Sequence, residues 1–367
     1  METYDIAIVG AGPGGLACAI KAQEMGLRYV VLEKGASILQ GLVDRYPSGK
    51  KVYPTIPRDE SGPFLVPELE PANEPVEAYV AKVKTFVEKH EIHVRFGEDV
   101  NGLAKDDKGF RIATSRTEYA CAHVVLAFGR SIPADLGVYG DATYVHRSLD
   151  TPEQHLGTSC LVIGGGNSAA DIVAALSRAK RAAEDETPVY WAHRRKQFRV
   201  DKDVARDLGE EILLGGNIRI LQGTKPVLGG VDEDGVHRLL LRVRNFNLED
   251  SILFHQALSF PMRQVIACVG TQGPAPVFEK LGLELVTFSK AENRPQEPGK
   301  AGTKLIVLNS GFQTSTKGIY AIGAAISPAY ASAGENGNLQ RRKHTDLIFT
   351  AIKDGVQAME DIAGKNQ

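Results

Sequence analysis

Two glycine-rich stretches of the sequence have the residue types and spacing that bind phosphate groups. In residues 5–20, DIAIVGAGPGGLACAI, an apolar run is followed by Gly10, Gly12 and Gly15. In residues 161–172, LVIGGGNSAADI, the same spacing recurs with alanine in the third place. Each pattern predicts a strand, a tight turn and a helix start, whose unpaired N–H groups and partial positive charge attract a pyrophosphate. The sequence therefore predicts two dinucleotide sites in one chain.

An acid follows the first glycine motif, residues 10–15. Gly10 permits the tight turn, Gly12 lets the backbone approach the pyrophosphate, and Gly15 lets helix and strand pack closely. The next apolar strand, residues 29–32, ends at Glu33. A carboxylate at this place accepts hydrogen bonds from a ribose 2′-hydroxyl and repels a 2′-phosphate. FAD or NAD fits this motif, and NADP does not.

A basic segment follows the second glycine motif, residues 164–169. Asn167 and Ser168 are expected to begin its helix and to cap the helix N-terminus with their side chains. A second strand, residues 188–192, leads into residues 193–199, HRRKQFR, where no acid stands at the strand end. Arginines here bind a 2′-phosphate through paired hydrogen bonds. The second motif is therefore expected to prefer NADPH.

The segments GGGNSAADI and HRRKQFR resemble the NADPH domain of the thioredoxin-reductase-like flavoproteins, and the amino-terminal motif resembles their FAD domain. Arg194, Arg195 and Arg199 fall on the arginines of that family's phosphate signature. The resemblance covers most of the chain in the same order. It implies an α/β fold of two Rossmann-type, three-layer (ββα/βαβ) dinucleotide-binding domains, with the NADPH domain inserted in the FAD domain.

The resemblance also implies domain limits. The FAD-binding domain is expected over residues 1–135 and 273–367, and the NADPH-binding domain over residues 136–272. Residues 121–130, CAHVVLAFGR, end in a turn that is similar to a family motif, with phenylalanine in place of threonine. We expect hinge strands near residues 131–157 and near Gln272.

Further flavin contacts follow from the resemblance. Val100 lies near a residue whose backbone meets the adenine in the family. Gly323 resembles the segment that returns to the flavin, where the family usually has aspartate at the position of Ala324. The missing carboxylate weakens one expected contact with the ribityl chain. Residues 39–71 fall where the family lays a loop along the flavin ring, which makes Tyr46 and Tyr53 candidates for stacking.

A helix is also expected to begin at residues 335–338 and to direct its N-terminus at the flavin ring. The residues expected to bind FAD are Gly10, Gly12, Pro13, Gly14, Gly15, Glu33, Lys34, Tyr46, Val100, Gly129, Gly323 and Ala324. Those expected to bind NADPH are Gly164, Gly166, Asn167, Ser168, Ala169, His193, Arg194, Arg195 and Arg199.

The expected chemistry is hydride transfer from NADPH to FAD, which needs closeness and orientation rather than a general base. We therefore expect no catalytic triad and no metal site. The stretch 144–157, which holds a CxxC in typical low-molecular-weight thioredoxin reductases, has no cysteine. Thioredoxin reduction through an internal dithiol is excluded. The four cysteines stand far apart in apolar runs and are expected to be buried structural thiols.

Two kinds of relative without the dithiol remain possible. The YP…VYP loop is similar to that of thioredoxin-reductase-type ferredoxin–NADP reductases. The segment VHRSLDTPEQHLG and a later ENG are similar to bacilliredoxin-reductase-like proteins, although Gly14 stands where that group has a cysteine. The external acceptor is thus expected to be ferredoxin, flavodoxin, or a low-molecular-weight or protein disulfide. The FxGxxxH linker signature of the flavin monooxygenases is absent. A non-catalytic or weakly catalytic redox sensor remains an alternative of another class.

Composition limits the partners further. With 367 residues and a net charge of −2, the chain suits about two domains and offers no general basic surface for nucleic acid. No apolar run reaches the ~18 residues of a membrane span, and no leader is readable, so we expect a cytoplasmic protein without membrane contact. The family resemblance implies a homodimer. A late basic cluster, residues 341–344, could dock an acidic carrier or lie on a solvated face.

Overall fold

The structure is a computed structural model that describes residues 2–46, 49–130, 136–149, 151–244, 255–270, 273–289, 295 and 302–365. The chain divides into two compact units. The first unit consists of Met1–Asp44, Lys51–Ile132 and Gln272–Gln367, and the second consists of Arg45–Lys50 and Pro133–Thr271. The second unit is therefore inserted between parts of the first.

The amino-terminal part of the first unit supplies most of a mainly parallel sheet. Its elements are β1 (Glu2–Val9), α1 (Pro13–Glu24), β2 (Tyr29–Glu33), α2 (Gln40–Val43), β3 (Lys51–Val52), β4 (Glu74–Pro75), α3 (Val76–Lys89), β5 (Val94–Phe96), β6 (Val100–Asp106), β7 (Gly109–Thr114) and β8 (Glu118–Leu126). The strand order is β5-β2-β1-β8-β7-β6, and β5, β2, β1 and β8 run parallel. The last four residues of β1 are buried, as expected for a strand covered on both faces.

The second unit is built around a parallel sheet of its own. Its elements are β9 (Cys160–Ile163), α4 (Asn167–Ala182), β10 (Val189–His193), α5 (Lys202–Leu213), β11 (Ile218–Gln222), β12 (Lys225–Val231), β13 (His237–Arg244), β14 (His255–Pro261) and β15 (Val265–Ala267). The parallel order is β11-β10-β9-β15, and β12, β13 and β14 form an antiparallel sheet. The apolar face of α4 packs on β9 and β10 around Trp191 and Val162.

The carboxyl-terminal part returns to the first unit. It comprises α6 (Ala275–Lys280), β16 (Leu285–Phe288), β17 (Thr303–Ile306), β18 (Ile319–Ala321), β19 (Ala329–Ala333), β20 (Leu339–Lys343) and α7 (Ile348–Lys365). Strand β18 joins the first sheet in parallel beside β8, while β19 and β20 form an antiparallel hairpin. Among the described residues, no helix is long and apolar enough to cross a membrane.

The predicted strands next to both glycine motifs are present, with ends that differ by a few residues. The predicted helix start at residues 335–338 is wrong, because these residues form the turn of the β19–β20 hairpin and α7 begins only at Ile348. Residues 131–135 at the start of the first expected hinge, and Gln272 of the second, lie outside the described residues.

Candidate functional site

The first glycine motif connects β1 to α1 in the first unit. A Cβ at Gly15 would overlap the carbonyl oxygen of Gly10, so only glycine permits this close approach of helix and turn. Helix α1 begins at Pro13, and its N-cap residue Gly12 provides no side-chain hydrogen bond. Among the described residues, no atom beyond the two chain neighbours lies within 4 Å of a Cβ built on Gly12. The N-terminus of α1 is therefore open and suits a phosphate group.

Glu33, the last residue of β2, is hydrogen-bonded to the same turn. Its Oε2 accepts the backbone N–H of Ala11 at 2.8 Å, and its Oε1 accepts the N–H of Gly35 at 2.7 Å. Each carboxylate oxygen has a second lone pair, so Glu33 can still accept from a ribose hydroxyl. Sequence reasoning assigned only that ribose contact. The structure adds that Glu33 fixes the shape of the glycine turn.

The other predicted adenosine contacts lie at the same edge of the sheet. Phe96, at the end of β5, is the register partner of Glu33, and Val100 begins β6 shortly after it. Lys34 is exposed and lies 4.0 Å from Asp99, which is an ion pair of little stabilising value. Parallel strands that end together form the usual binding edge of such sheets. The positions of Val100 and Lys34 are compatible with the predicted contacts.

The returning segment reaches this region through β18. Ala321 pairs with Leu126 of β8, and Gly129 follows β8 with a left-handed φ of 69°. Gly323 also has a positive φ of 62°, and it begins a single 3-10 turn that includes Ala324. Ala324 is partly exposed. Ala324 supplies no carboxylate to this turn, but the backbone turn itself is formed.

Helix α7 contacts both segments that are predicted to bind the flavin. A Cβ at Gly14 would lie 2.8 Å from the carbonyl oxygen of Ala351, and a Cβ at Gly323 would lie 3.1 Å from the Cβ of the same alanine. One turn later, a Cβ at Gly355 would lie 2.6 Å from the carbonyl oxygen of Gly14. The helix therefore holds the glycine turn and the returning segment together. The open α1 terminus, Glu33 and the formed turn fit FAD.

A buried polar chain that sequence reasoning missed lies behind this turn. Asp354 Oδ2 accepts the backbone N–H of Gly323 at 2.8 Å and lies 2.9 Å from Nε2 of His344. The other ring nitrogen of His344, Nδ1, lies 2.7 Å from Oγ of Ser327. Ser327 and Asp354 are 1% and 2% exposed. The residue types match those of a hydrolytic triad, but the serine is buried and no nucleophile is presented to a substrate.

The second glycine motif connects β9 to α4 in the second unit. Helix α4 begins at Asn167, as predicted, but its N-cap residue is Gly166 and no side chain caps it. The predicted capping role of Asn167 is wrong, because its amide instead exchanges two hydrogen bonds with Asp201. Its Nδ2 donates to the Asp201 carboxylate at 2.6 Å, and its Oδ1 accepts the Asp201 N–H at 2.9 Å. Ser168 is exposed and Ala169 is buried in the α4 core.

The basic segment after β10 is anchored beside this motif. The ring of Phe198 packs on Trp191 with centroids 4.3 Å apart, and the backbone N–H of Arg199 donates to Gly165 at 2.6 Å. His193 lies against the same glycine and is partly buried. Burial, together with the positive charges of the nearby arginines, lowers the pKa of His193 below its ordinary value of 6.5. This shift favours the uncharged imidazole at neutral pH.

The three arginines of this segment are directed to solvent. Arg194, Arg195 and Arg199 are all exposed. Within the described part of the chain, none of them forms a salt bridge with a carboxylate. After burial, their positive charges are the next cause of the lowered pKa of His193, whose ring lies against Gly165 of the glycine motif. Open N–H groups at a helix start and uncompensated guanidinium groups suit NADPH, whose 2′-phosphate needs both charge and paired donors.

Part of the loop predicted to lie along the flavin, residues 39–71, groups with a different unit from the one expected. Residues 45–50 group with the second unit rather than with the first. Lys50 lies over the ring of Tyr46 at 4.2 Å and forms a salt bridge of 2.9 Å with Asp171 on α4. The flavin contact of Tyr46 stays a prediction. Tyr53 is 39% exposed, and Pro47 of the quoted YP pair lies outside the described residues.

All four cysteines of the chain are free thiols. Three are buried and the fourth, Cys268, is partly buried. Burial raises the pKa of Cys160 to about 11 and the pKa values of Cys121 and Cys268 to about 12, and it raises that of Cys18 further. A thiol attacks a disulfide only as the thiolate. These cysteines are therefore poorly suited to disulfide exchange at neutral pH.

Comparison with known proteins agrees with this geometry. The model of the family described as pyridine nucleotide-disulphide oxidoreductase matches residues 7–210. A ferredoxin–NADP reductase from Streptococcus thermophilus is 26% identical over 332 residues, which cover 88% of this chain and 85% of that protein.

Two solved structures share the fold. The bacillithiol disulfide reductase from Staphylococcus aureus superposes with a TM-score of 0.73 at 19% identity, covering 100% of both chains. The T. acidophilum thioredoxin reductase superposes with a TM-score of 0.66 at 19% identity, covering 100% of this chain and 99% of that chain. The predicted α/β fold class, and the resemblance to thioredoxin-reductase-like flavoproteins, are confirmed.

Proposed function

The chain belongs to the pyridine nucleotide-disulphide oxidoreductase family, and we propose that it passes electrons from NADPH through FAD to a small acidic electron carrier. It is an NAD(P)H-dependent flavin oxidoreductase, and its cofactors are FAD and NADPH. The proposal concerns the residues that hold these cofactors and the acceptor that takes the electrons. Ferredoxin and flavodoxin are the carriers we propose to test.

Because the cofactors carry out the electron transfer, the protein has only to bind and orient them. Bound FAD can accept two electrons as a hydride and release them singly or in pairs. The N-terminus of α1 would hold the FAD pyrophosphate, and Glu33 would hold the ribose. The N-terminus of α4 would hold the NADPH pyrophosphate, while Arg194, Arg195 and Arg199 would hold its 2′-phosphate. These side chains bind and orient the cofactors, and none of them needs to act as an acid or base.

The raised pKa values of the four cysteine thiols are the main argument for the proposed acceptor. A disulfide reductase that uses its own thiols needs a thiolate that can attack, and raised pKa values keep all four thiols protonated at neutral pH. A one-electron carrier needs no thiol in the reductase. The S. thermophilus relative, similar over 88% of this chain, is named a ferredoxin–NADP reductase. Both observations favour a carrier over a disulfide.

Strand β20 supplies a surface that suits an acidic carrier. Arg341, Arg342 and Lys343 are consecutive and exposed on this edge of the hairpin. Arg342 is oriented by a 3.0 Å hydrogen bond from its Nε to Oγ of Ser332 on β19. Three positive charges on one short strand raise the rate at which an acidic partner associates. We therefore propose β20 as part of the carrier-binding surface.

The acceptor can be tested by steady-state NADPH oxidation. Purified protein is assayed with ferredoxin, with flavodoxin and with bacillithiol disulfide, and NADH replaces NADPH in parallel. We expect carrier-dependent oxidation of NADPH and little oxidation of NADH. A matched variant in which Cys18, Cys121, Cys160 and Cys268 are changed to alanine should retain this activity. Disulfide-dependent turnover that the cysteine-free variant loses would overturn the proposal.

A second candidate is favoured by one observation, the alanine at position 324. A protein that binds both nucleotides but does not exchange electrons would act as a redox sensor. The same assay separates the two, because a sensor oxidises NADPH with none of these acceptors. The intact arginine cluster at the second motif favours the reductase, since it serves to bind the reductant.

A further inference from the structure

The side chain of Asp354 is a buried carboxylate, and its burial has to be compensated by hydrogen bonds. Its side chain is 3% exposed, and it lies on α7 directly beside the turn of residues 323–326. A buried charge is costly unless it is paired and hydrogen-bonded. Its two nearest polar partners are the N–H of Gly323 and the imidazole of His344, and both meet the same oxygen, Oδ2. The carboxylate is therefore directed at the returning segment.

His344 is held at both ring nitrogens. A carboxylate only accepts hydrogen bonds, so Nε2 of His344 carries the hydrogen toward Asp354. A hydroxyl can donate or accept, so Ser327 satisfies Nδ1 in either charge state of the ring. The side chain of His344 is 5% exposed and lies just after the basic strand β20. The chain Ser327–His344–Asp354 thus connects the end of the hairpin with the N–H of Gly323.

We propose that Asp354 and His344 are positioning residues that hold the turn at Gly323 and Ala324 for the flavin. This inference rests on the proposed contact of that turn with FAD. Alanine stands at position 324, so this turn has no carboxylate of its own at that position. Asp354 brings a negative charge to the same turn from helix α7, and it acts through the backbone because it is too buried to reach a ligand.

Helix α7 connects the Asp354–His344 pair with both segments proposed to bind the flavin, the glycine turn at residues 10–15 and the turn at residues 323–326. Ala351 and Gly355, on either side of Asp354, pack against the backbone of Gly14. When Asp354 loses its bond to Gly323, the returning segment is no longer fixed relative to the glycine turn. FAD bound by both segments should then dissociate more readily.

The test separates hydrogen bonding from charge with paired variants. Asp354→Leu removes the acceptor, while Asp354→Asn keeps an oxygen that accepts from Gly323 and His344. We expect Asp354→Leu to weaken FAD binding to the apoprotein at least tenfold and Asp354→Asn to stay within about threefold. His344→Leu and His344→Gln should show the same difference. Ser327→Ala serves as a further variant should Asp354→Leu fail to fold.

A matched control exists in the second unit. Glu211 is also 2% exposed, and it also has a serine partner, Ser177 at 2.8 Å, and a cation, Arg181 at 3.0 Å. Glu211→Leu and Glu211→Gln repeat the same chemical changes away from the proposed flavin turn. They should lower the melting temperature but leave FAD affinity unchanged. An equal loss of FAD affinity in both sets would show a general structural effect and overturn the proposal.

The flavin midpoint potential provides a second readout. Asp354→Asn removes a negative charge, and reduced flavin gains negative charge, so reduction should become easier. We expect a shift of about tenfold in the equilibrium constant, which is about 30 mV for a two-electron couple. Wild-type FAD affinity in folded Asp354→Leu and His344→Leu would overturn the inference. This result is distinct from failure of the proposed function, in which the wild-type flavin is reduced by NADPH but carriers do not reoxidise it.

Discussion

Glu33 Oε2 accepts the backbone N–H of Ala11 at 2.8 Å, so the acid that ends β2 also fixes the turn that follows β1. The two residues are adjacent in space because β1 and β2 are parallel neighbours whose carboxyl ends coincide. One carboxylate can therefore shape the turn that is predicted to bind phosphate and still accept a hydrogen bond from a ribose. This double use predicts that Glu33 affects the site more strongly than a simple ribose contact would.

Substitution of Glu33 tests this relationship. Glu33→Ala removes both backbone hydrogen bonds and the ribose acceptor, and each bond to a charged group contributes about 1.5–3 kcal/mol. We expect FAD affinity to fall more than a hundredfold, measured by titrating the apoprotein with FAD. Glu118→Ala, at the exposed start of β8, is the control and should bind FAD normally. Affinity within threefold of wild type in Glu33→Ala would contradict the assignment.

The arginine segment should determine nucleotide preference. The double variant Arg194→Ala/Arg195→Ala loses donors to the 2′-phosphate, so its KM for NADPH should rise at least thirtyfold while its KM for NADH stays unchanged. The control Arg206→Ala/Arg219→Ala removes two other exposed arginines of the second unit. The measurement is the ratio of kcat/KM for the two nucleotides. An equal rise in both KM values would instead indicate damage to the glycine motif.

Charge reversal on β20 should lower the rate of carrier reduction. It should also make this rate less dependent on salt concentration. Arg341→Glu/Lys343→Glu should raise the KM for ferredoxin about tenfold or more, because it replaces attraction by repulsion. Reduction of ferricyanide, a small artificial acceptor, should stay unchanged. Lys105→Glu/Lys108→Glu, on the β6–β7 hairpin, changes the net charge equally and is the control. Equal effects of both pairs would refute a local docking surface.

The pKa of Glu211 predicts a pH dependence of stability. Burial alone would raise this pKa, but hydrogen bonds from Arg181 and Ser177, with the nearby arginine charges, lower it below its ordinary value of 4.5. The stabilisation is therefore complete above the unfolded-state pKa and is lost as the pH falls through the lower folded-state value. Glu211→Gln should be about 1–3 kcal/mol less stable than wild type at pH 7. Urea unfolding at pH 7 and near pH 3 checks this, and a constant difference would contradict it.

The local structure around both glycine motifs could be predicted from sequence, because each motif, its two strands and the residue after the second strand are close in the chain. The expectation of a helix start at residues 335–338 overlooks Asn336–Gly337, since Asn-Gly between two strand-forming segments is a strong signal for a β-hairpin turn. The polar chain of Ser327, His344 and Asp354 could not be predicted. It depends on how a hairpin and a helix pack, and no single residue type in it indicates a flavin site.

The grouping of residues 45–50 with the second unit could not be predicted for the same reason. The expected flavin contact of Tyr46 rests on the position of its loop and on its aromatic ring, and it stays a prediction. The salt bridge of Lys50 with Asp171 joins this segment to α4. A contact between residues 121 positions apart has no local pattern. The expected capping role of Asn167 is also a local inference. It is wrong because the Asn167 side chain instead forms two hydrogen bonds with Asp201, 34 positions away in the chain.

The central claim is tested most directly by a two-step anaerobic stopped-flow measurement. The oxidised protein is first mixed with one equivalent of NADPH, and the loss of flavin absorbance is followed. The reduced protein is then mixed with oxidised ferredoxin, flavodoxin or bacillithiol disulfide. The account predicts rapid bleaching by NADPH and rapid return of the flavin absorbance with a carrier but not with the disulfide. A flavin that NADPH does not bleach, or that only the disulfide reoxidises, would contradict it.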